Sequence, residues 1–283
     1  MKYLPDYHEL KQNLEKTFLD AGISELSDID WIMVEVTGVK RSMLPFYGKF
    51  STEEVEKIMD AAQKRLKRIP LAYIFGRTEF YGYKFKVDEN VLIPRIDTEI
   101  LVEKLIEDIK NANKIVSVLD IGTGSGAIAI TVQKETGAKV TAVDISEKAL
   151  EIAKFNANQN KVDVKIFKSD LFDNVKDEKF DFVVSNPPYI ETDVCETLDP
   201  EVVLNEPILA LDGGVDGLKF YRKIVDAAPL FLNQHGKLYF EIGYNQAEAV
   251  SKLLKDKFKN IQVYKDYGNN DRVVVGELIW LKD

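Results

Sequence analysis

The sequence predicts an α/β fold, a parallel sheet with helices on both faces, preceded by a small helical bundle. Three observations carry this. Apolar residues recur at helical spacing up to about residue 70, in Leu10, Leu14 and Phe18 and again in Val55, Ile58, Met59, Ala62 and Leu66. From Thr78 to Val87 the pattern turns aromatic and alternating around Gly82. Beyond it, short apolar strands alternate with helical stretches.

The N-terminal part reads as a bundle of about four helices ended by Ile69-Pro70. Ser51 is the expected N-cap of one of them, and Glu54 completes a capping box. The basic run Lys64, Arg65, Lys67 and Arg68 reads as a solvated helix face. Residues 78–87 read as a hairpin or extended linker. At 283 residues, two domains are the better expectation. The boundaries expected are 1–72 for a helical, substrate-docking domain, 73–96 for the linker and 97–283 for the sheet domain.

Five strands of that sheet are expected at Ile115 to Asp120, Lys139 to Asp144, Val164 to Phe167, Asp181 to Ser185 and Lys237 to Glu241. Ile261 to Tyr264 and Arg272 to Leu278 are separated only by Lys265 to Asp271, a link short enough to favour an antiparallel pair at the sheet's end.

Composition excludes several functions. The 38 Lys and Arg against 47 Asp and Glu give a net charge of -9, which argues against tight non-specific binding of duplex nucleic acid. No apolar run approaches the ~20 residues of a membrane span. The start, Met1-Lys2-Tyr3-Leu4-Pro5-Asp6, lacks the basic-then-apolar layout of a signal peptide, so a cytoplasmic location is expected. Cys195 is the single cysteine, and with His8 and His235 it supplies too few ligands for a Cys/His metal site; it reads as an incidental loop residue.

The first chemical constellation is Asp120-Ile121-Gly122-Thr123-Gly124-Ser125-Gly126, a strand running into a glycine-rich turn and then a helical pattern from Ala127. Such a turn lets backbone approach a ligand closely. A dinucleotide site would show Gly-x-Gly-x-x-Gly, whereas Gly-x-Gly-x-Gly behind an acid suits a ligand without phosphates. The next strand ends in Asp144, placed to accept from the two hydroxyls of a ribose. After the third comes Ser169-Asp170-Leu171-Phe172, a carboxylate for an adenine amino group with apolar side chains for its ring.

Asn186-Pro187-Pro188-Tyr189 follows the fourth strand. A nitrogen conjugated to a carbonyl or an aromatic ring keeps its lone pair in the π system, so it attacks poorly unless its N–H groups are held. The Asn186 side-chain oxygen and the Pro187 carbonyl can each accept one. Proline offers no N–H and a restrained backbone, and Tyr189 can cover a flat substrate group. No strong general base is then required.

These motifs, in this order, resemble the class I S-adenosylmethionine-dependent methyltransferases, and specifically the release-factor glutamine N5-methyltransferases, the HemK or PrmC family. The resemblance covers nearly the whole chain and includes Tyr73-Ile74-Phe75-Gly76, Glu79-Phe80-Tyr81-Gly82 and Val91 to Glu99, where Ile96 replaces a usual proline. It implies a Rossmann-like, seven-stranded catalytic domain joined by a hairpin to the helical domain, and methylation of the glutamine in the Gly-Gly-Gln motif of peptide-chain release factors. It implies that Gly122 to Gly126 hold the methionine portion of the cofactor, with Asp120 assisting, Asp144 the ribose, and Asp170 and Leu171, with Phe172 near, the adenine. Asn186 to Tyr189 would hold the substrate amide, and Arg95 and Thr98 would close over the cofactor, Thr98 being equally readable as a surface helix cap.

Two other readings stay open at this level. An adenine-N6 DNA methyltransferase faces the same lone-pair problem with the same kind of turn, but flipping a base calls for extensive backbone contact that an acidic chain does not advertise. A non-catalytic binding protein could keep the fold, although such copies usually lose a ligand-contacting residue.

Overall fold

The computed structural model describes residues 4–176 and 178–280. Met1 to Tyr3, on which part of the signal-peptide reading rests, lie outside them. The chain forms two compact units, one of residues up to Gly76 together with Pro200–Asn205, the other of Arg77–Asp199 and the chain from Glu206 onward.

The first unit is built from the helices Tyr7–Asp20, Ser27–Thr37 and Thr52–Leu66, with a 3-10 stretch at Arg41–Phe46. The Ser51 capping box forms as expected. Two expectations fail. Pro70 does not end the helical region but caps a further short helix, Leu71–Phe75, where its missing N–H costs nothing. The basic run is not a uniformly solvated face, since Arg65 is 1% exposed and shares the buried face of its helix with Ile58, Ala61 and Ala62, while Met59 is 40% exposed. Arg65 Nε donates to Asp28 at 2.7 Å and its Nη2 meets Glu201 at 2.5 Å, so this guanidinium ties the Pro200–Asn205 helix into the unit. Charge on an isolated side chain would be expelled; two carboxylate partners make the burial tolerable.

The second unit opens with the hairpin β1 (Arg77–Phe80) and β2 (Tyr83–Lys86), turning at Tyr81 and Gly82, both with positive φ. The sheet strands are β3 (Ser117–Ile121), β4 (Lys139–Asp144), β5 (Lys165–Lys168), β6 (Phe180–Ser185), β7 (Leu232–Glu241), β8 (Phe258–Lys265) and β9 (Asp271–Leu278). Their spatial order is β5-β4-β3-β6-β7-β9-β8, parallel from β5 to β7, with β9 antiparallel to both β7 and β8. Successive residues feed opposite cores: Val118 joins Ile128, Phe182 and Tyr239 on one face, while Leu119 joins Val183, Tyr221 and Phe240 on the other. Burial on both faces explains why these strands read as apolar runs.

The chain runs outward through β3, β4 and β5 and then returns to β6 on the other side of β3. That reversal opens a crevice at the carboxyl ends of β3 and β6, where this class of sheet binds its ligands. The glycine turn leaves β3 there, and Asn186 leaves β6.

Candidate active site

A cavity of about 350 Å³ occupies the crevice, within the size range of small-molecule sites. Among the residues expected at the site, Gly122, Thr123, Gly124, Ser125, Asp144, Asp170, Leu171, Asn186, Pro187, Pro188, Arg95 and Thr98 line it. Asp120, Gly126, Phe172 and Tyr189 do not.

The turn is fixed by its own hydrogen bonds. Gly122 N and Thr123 N donate to Val143 O at 2.9 and 3.0 Å, and Gly124 N donates to Asp144 Oδ2 at 2.8 Å. These amides are therefore already engaged, unlike the free amides that hold a pyrophosphate at a helix N-terminus. Gly122 and Gly124 have φ of +71° and +53°, and a Cβ at either would meet nothing within 4 Å. The glycines thus serve backbone conformation and leave an open cradle above the turn. Asp144 and Asp170 offer carboxylate acceptors for hydroxyls and amino groups at the cradle, while Arg95, Lys219 and Lys223 line the same cavity. The donor set fits an adenosyl sulfonium compound.

Gly126 plays a different part, as the left-handed N-cap of the helix Ala127–Thr136, where a Cβ would stand 2.8 Å from Ile130 Cδ1 and 3.3 Å from Ala153 Cβ. Phe172 is 5% exposed and stacks on Phe231 at 4.5 Å, so it belongs to the core beneath the site. Asp144 also accepts from Ser146 N at 2.9 Å, and burial pushes its pKa up against these backbone hydrogen bonds. Leu171, at φ 48°, takes a strained left-handed turn that follows Asp170.

Asp120 lies wholly buried beneath the turn, and its Oδ2 accepts the Thr123 hydroxyl at 2.6 Å. Burial pushes its pKa up to about 7, with the Thr123 hydrogen bond opposing and the Asp144 charge adding to the rise. A carboxyl raised on folding is protonated in both states at low pH. Between its ordinary value of 3.8 and about 7 only the unfolded chain has released the proton, so stability falls as pH rises through that window. Asp120→Asn removes this dependence. Its melting temperature relative to the parent is expected to improve by on the order of 5 °C between about pH 5 and pH 8. A difference that stays constant with pH in thermal melts would refute the assignment.

Sequence reasoning missed the support behind the Asn-Pro-Pro-Tyr turn. Tyr189 packs, partly buried, against the core, and burial pushes its phenol up to about 12. Its carbonyl accepts Gln246 Nε2 at 2.9 Å, and the Gln246 Oε1 accepts Gly243 N at 3.0 Å. A Cβ on Gly213 would lie 2.7 Å from Tyr189 Cα, and one on Gly217, at φ +67°, 2.4 Å from Tyr189 O. The cluster Gly213, Gly214 and Gly217 was the available signal. Gly217→Ala should cost about 2 kcal/mol in denaturant unfolding and reduce turnover, through strain and displacement of the turn. Unchanged stability and turnover would show that the contact relaxes freely.

Arg95 Nη2 pairs with Glu206 Oε1 at 2.5 Å at the cavity edge; burial raises the Glu206 pKa while Arg95 opposes the rise. Thr98 is not a surface cap. It is 5% exposed, the N-cap of its helix is Asp97, and its hydroxyl accepts Asn186 Nδ2 at 3.3 Å. Cys195 is buried on the short helix Thr192–Cys195 and not on a loop. Among the described residues no group of His, Cys, Asp and Glu could hold a metal ion, and no helix is long and apolar enough to cross a membrane.

The fold recurs in solved structures, including a methyltransferase from Pyrococcus furiosus with a TM-score of 0.55 and 19% identity, covering 81% of this chain and 98% of that one. Residues 95–198 match the family described as methyltransferase small domain, so the sheet unit, with its glycine turn and acidic strand end, is a methyltransferase domain. Residues 9–76 match the PrmC N-terminal domain. The release factor glutamine methyltransferase of Fusobacterium nucleatum is 46% identical over 259 residues, 89% of this chain and 73% of that protein. That of Geobacter sulfurreducens is 42% identical over 255 residues, 89% of each. This chain belongs to the release factor glutamine methyltransferase family.

Proposed function

We propose that the chain uses S-adenosylmethionine to methylate the side-chain N5 of the glutamine in the Gly-Gly-Gln motif of peptide-chain release factors. One observation carries the reading: Asn186 and Pro187 line the same cavity as the glycine turn and Asp144. A pair of amide-holding acceptors is thereby set beside a cradle suited to the cofactor.

When bound, the cofactor supplies an electrophilic methyl group on a sulfonium centre. Gly122 to Ser125 would hold its amino-acid portion, Asp144 its ribose, and Asp170 and Leu171 its adenine. The Asn186 oxygen and the Pro187 carbonyl would each accept one N–H of the glutamine amide, which fixes the NH2 group and aims its lone pair. Tyr189, packed beside the turn, holds it in place instead of covering the substrate. Every lining residue belongs to the second unit, and we assign the helical unit, with Trp31, Met43 and Phe46 exposed, to docking of the protein substrate. Phe46→Ser should raise KM for release factor several-fold without altering cofactor affinity; an unchanged KM would count against that assignment.

The function is tested by incubating the protein with labelled S-adenosylmethionine and release factor, in parallel with a factor whose Gly-Gly-Gln glutamine is replaced by alanine. Label confined to the intact motif supports the proposal. Equal labelling of both factors would place the methyl elsewhere and defeat it.

A further inference from the structure

The side chain of Asn186 has two ends of nearly the same shape, a carbonyl oxygen and an NH2, and only the first can accept from a substrate amide. Nothing in the shape of the cavity chooses between them. The choice must come from the groups behind the side chain.

Those groups are Thr98 and Glu241. Ser185 on β6 stands beside Phe240 on β7, so the next residues, Asn186 and Glu241, leave neighbouring parallel strands side by side. Glu241 is 2% exposed, does not line the cavity, and among the described residues its Oε2 has no hydrogen-bond partner. Thr98 and Asn186 both face its carboxylate and, as donors, favour its ionised form. Thr98 Oγ1 in turn accepts from Asn186 Nδ2. A hydroxyl that accepts from Asn186 keeps its single proton to give, and an ionised carboxylate can only accept. The chain therefore runs one way, from the Asn186 NH2 through Thr98 to Glu241. Reversing it would set a carbonyl oxygen against a buried carboxylate, with no proton between them.

Resting on the reading of Asn186 as the acceptor for the substrate amide, we propose that Glu241 is a positioning residue: as the proton acceptor at the end of the Thr98 chain, it holds the Asn186 oxygen toward the substrate. The charged and titratable groups that act on Glu241 are Arg272, which favours its ionised form, Asp97, which opposes it, and the phenols of Tyr189 and Tyr221. Arg272 is itself held by Asp97 at 3.3 Å and Asp266 at 3.0 Å. Burial pushes Glu241 up to about 7, against the Thr98 and Asn186 hydrogen bonds and the Arg272 charge. Once protonated it can donate, and the direction of the chain is lost.

The test is single-turnover transfer to release factor by the full-length protein at saturating S-adenosylmethionine. Glu241→Gln keeps the shape but adds a donor, and should slow transfer by about 10- to 100-fold. Cofactor affinity and KM for release factor should stay close to the parent values. The parent rate should rise through about pH 7, a step absent from Glu241→Gln. In an Asn186→Ala background Glu241→Gln should have no further effect, which a merely structural role would not produce. Thr98→Val gives the same slowing by a route that leaves Glu241 intact, and Thr98→Ser recovers most of the rate, so the test survives poor folding of any one variant. A parent-like rate for Glu241→Gln with Asn186→Ala impaired would overturn the role of Glu241 alone. A parent-like rate for Asn186→Ala would overturn the reading on which it rests.

Discussion

Asn186→Ala is expected to lower the rate of methyl transfer by ~100- to 1,000-fold at saturating cofactor, the cost of removing one preorganised polar group from a reacting centre. Alanine leaves the glycine turn and Asp144 untouched, so cofactor affinity should change little. It also strips Thr98 and Glu241 of the amide they face, but Thr98 can still donate to the Glu241 carboxylate, so the fold should survive. Asn186→Asp keeps an acceptor but sets a second negative charge beside buried Glu241, and should be impaired without being inactive. Single-turnover rates decide the matter. Near-parental transfer by the alanine variant would remove Asn186 from the chemistry.

Asp144→Ala is expected to weaken cofactor binding by ~10- to 100-fold, from the loss of charged hydrogen bonds worth about 1.5–3 kcal/mol. The structure adds a second reason for the loss. The same carboxylate accepts Gly124 N and Ser146 N, so its removal frees the cradle as well as the ribose partner. Asp144→Asn separates the two contributions, since an amide can still accept one N–H but carries no charge. Calorimetric titration showing unchanged affinity for Asp144→Ala would end the ribose assignment.

Much of this site was legible in the chain because its parts are local. A strand that runs into Gly122-Thr123-Gly124, an acid closing the next strand at Asp144, and Asn186-Pro187 closing another each announce themselves within a few residues. The parallel sheet turned those separated signals into one cavity, since all three strands end on the same side. The strand ends themselves shifted by only a few residues, with β7 beginning at Leu232 instead of Lys237.

What escaped depends on register between distant segments. Glu241 is a strand-end acid like any other until β7 is known to lie beside β6, a neighbour relation that spans 55 positions from Asn186 to Glu241. Thr98 looks like a cap by position, and only its contact with Asn186, 88 residues away, reveals its task. Arg65 sits in a basic run that the local pattern assigns to solvent; its partners Asp28 and Glu201 come from other helices. Tyr189 was expected to cover the substrate because its chemistry allows it, but it does not line the cavity and packs, partly buried, against the core, with Gly213 and Gly217 close against its backbone.

On the proposed function the held nitrogen is a glutamine amide of a protein and not an exocyclic amine of a base. A direct competition tests it: the protein, labelled S-adenosylmethionine, and equimolar release factor and unmethylated duplex DNA in one reaction, with the products separated and the modified residue mapped by mass spectrometry. The expected result is label on the release factor, at the glutamine of Gly-Gly-Gln, with none on adenine. Label on the DNA, with the release factor left unmodified, would contradict it.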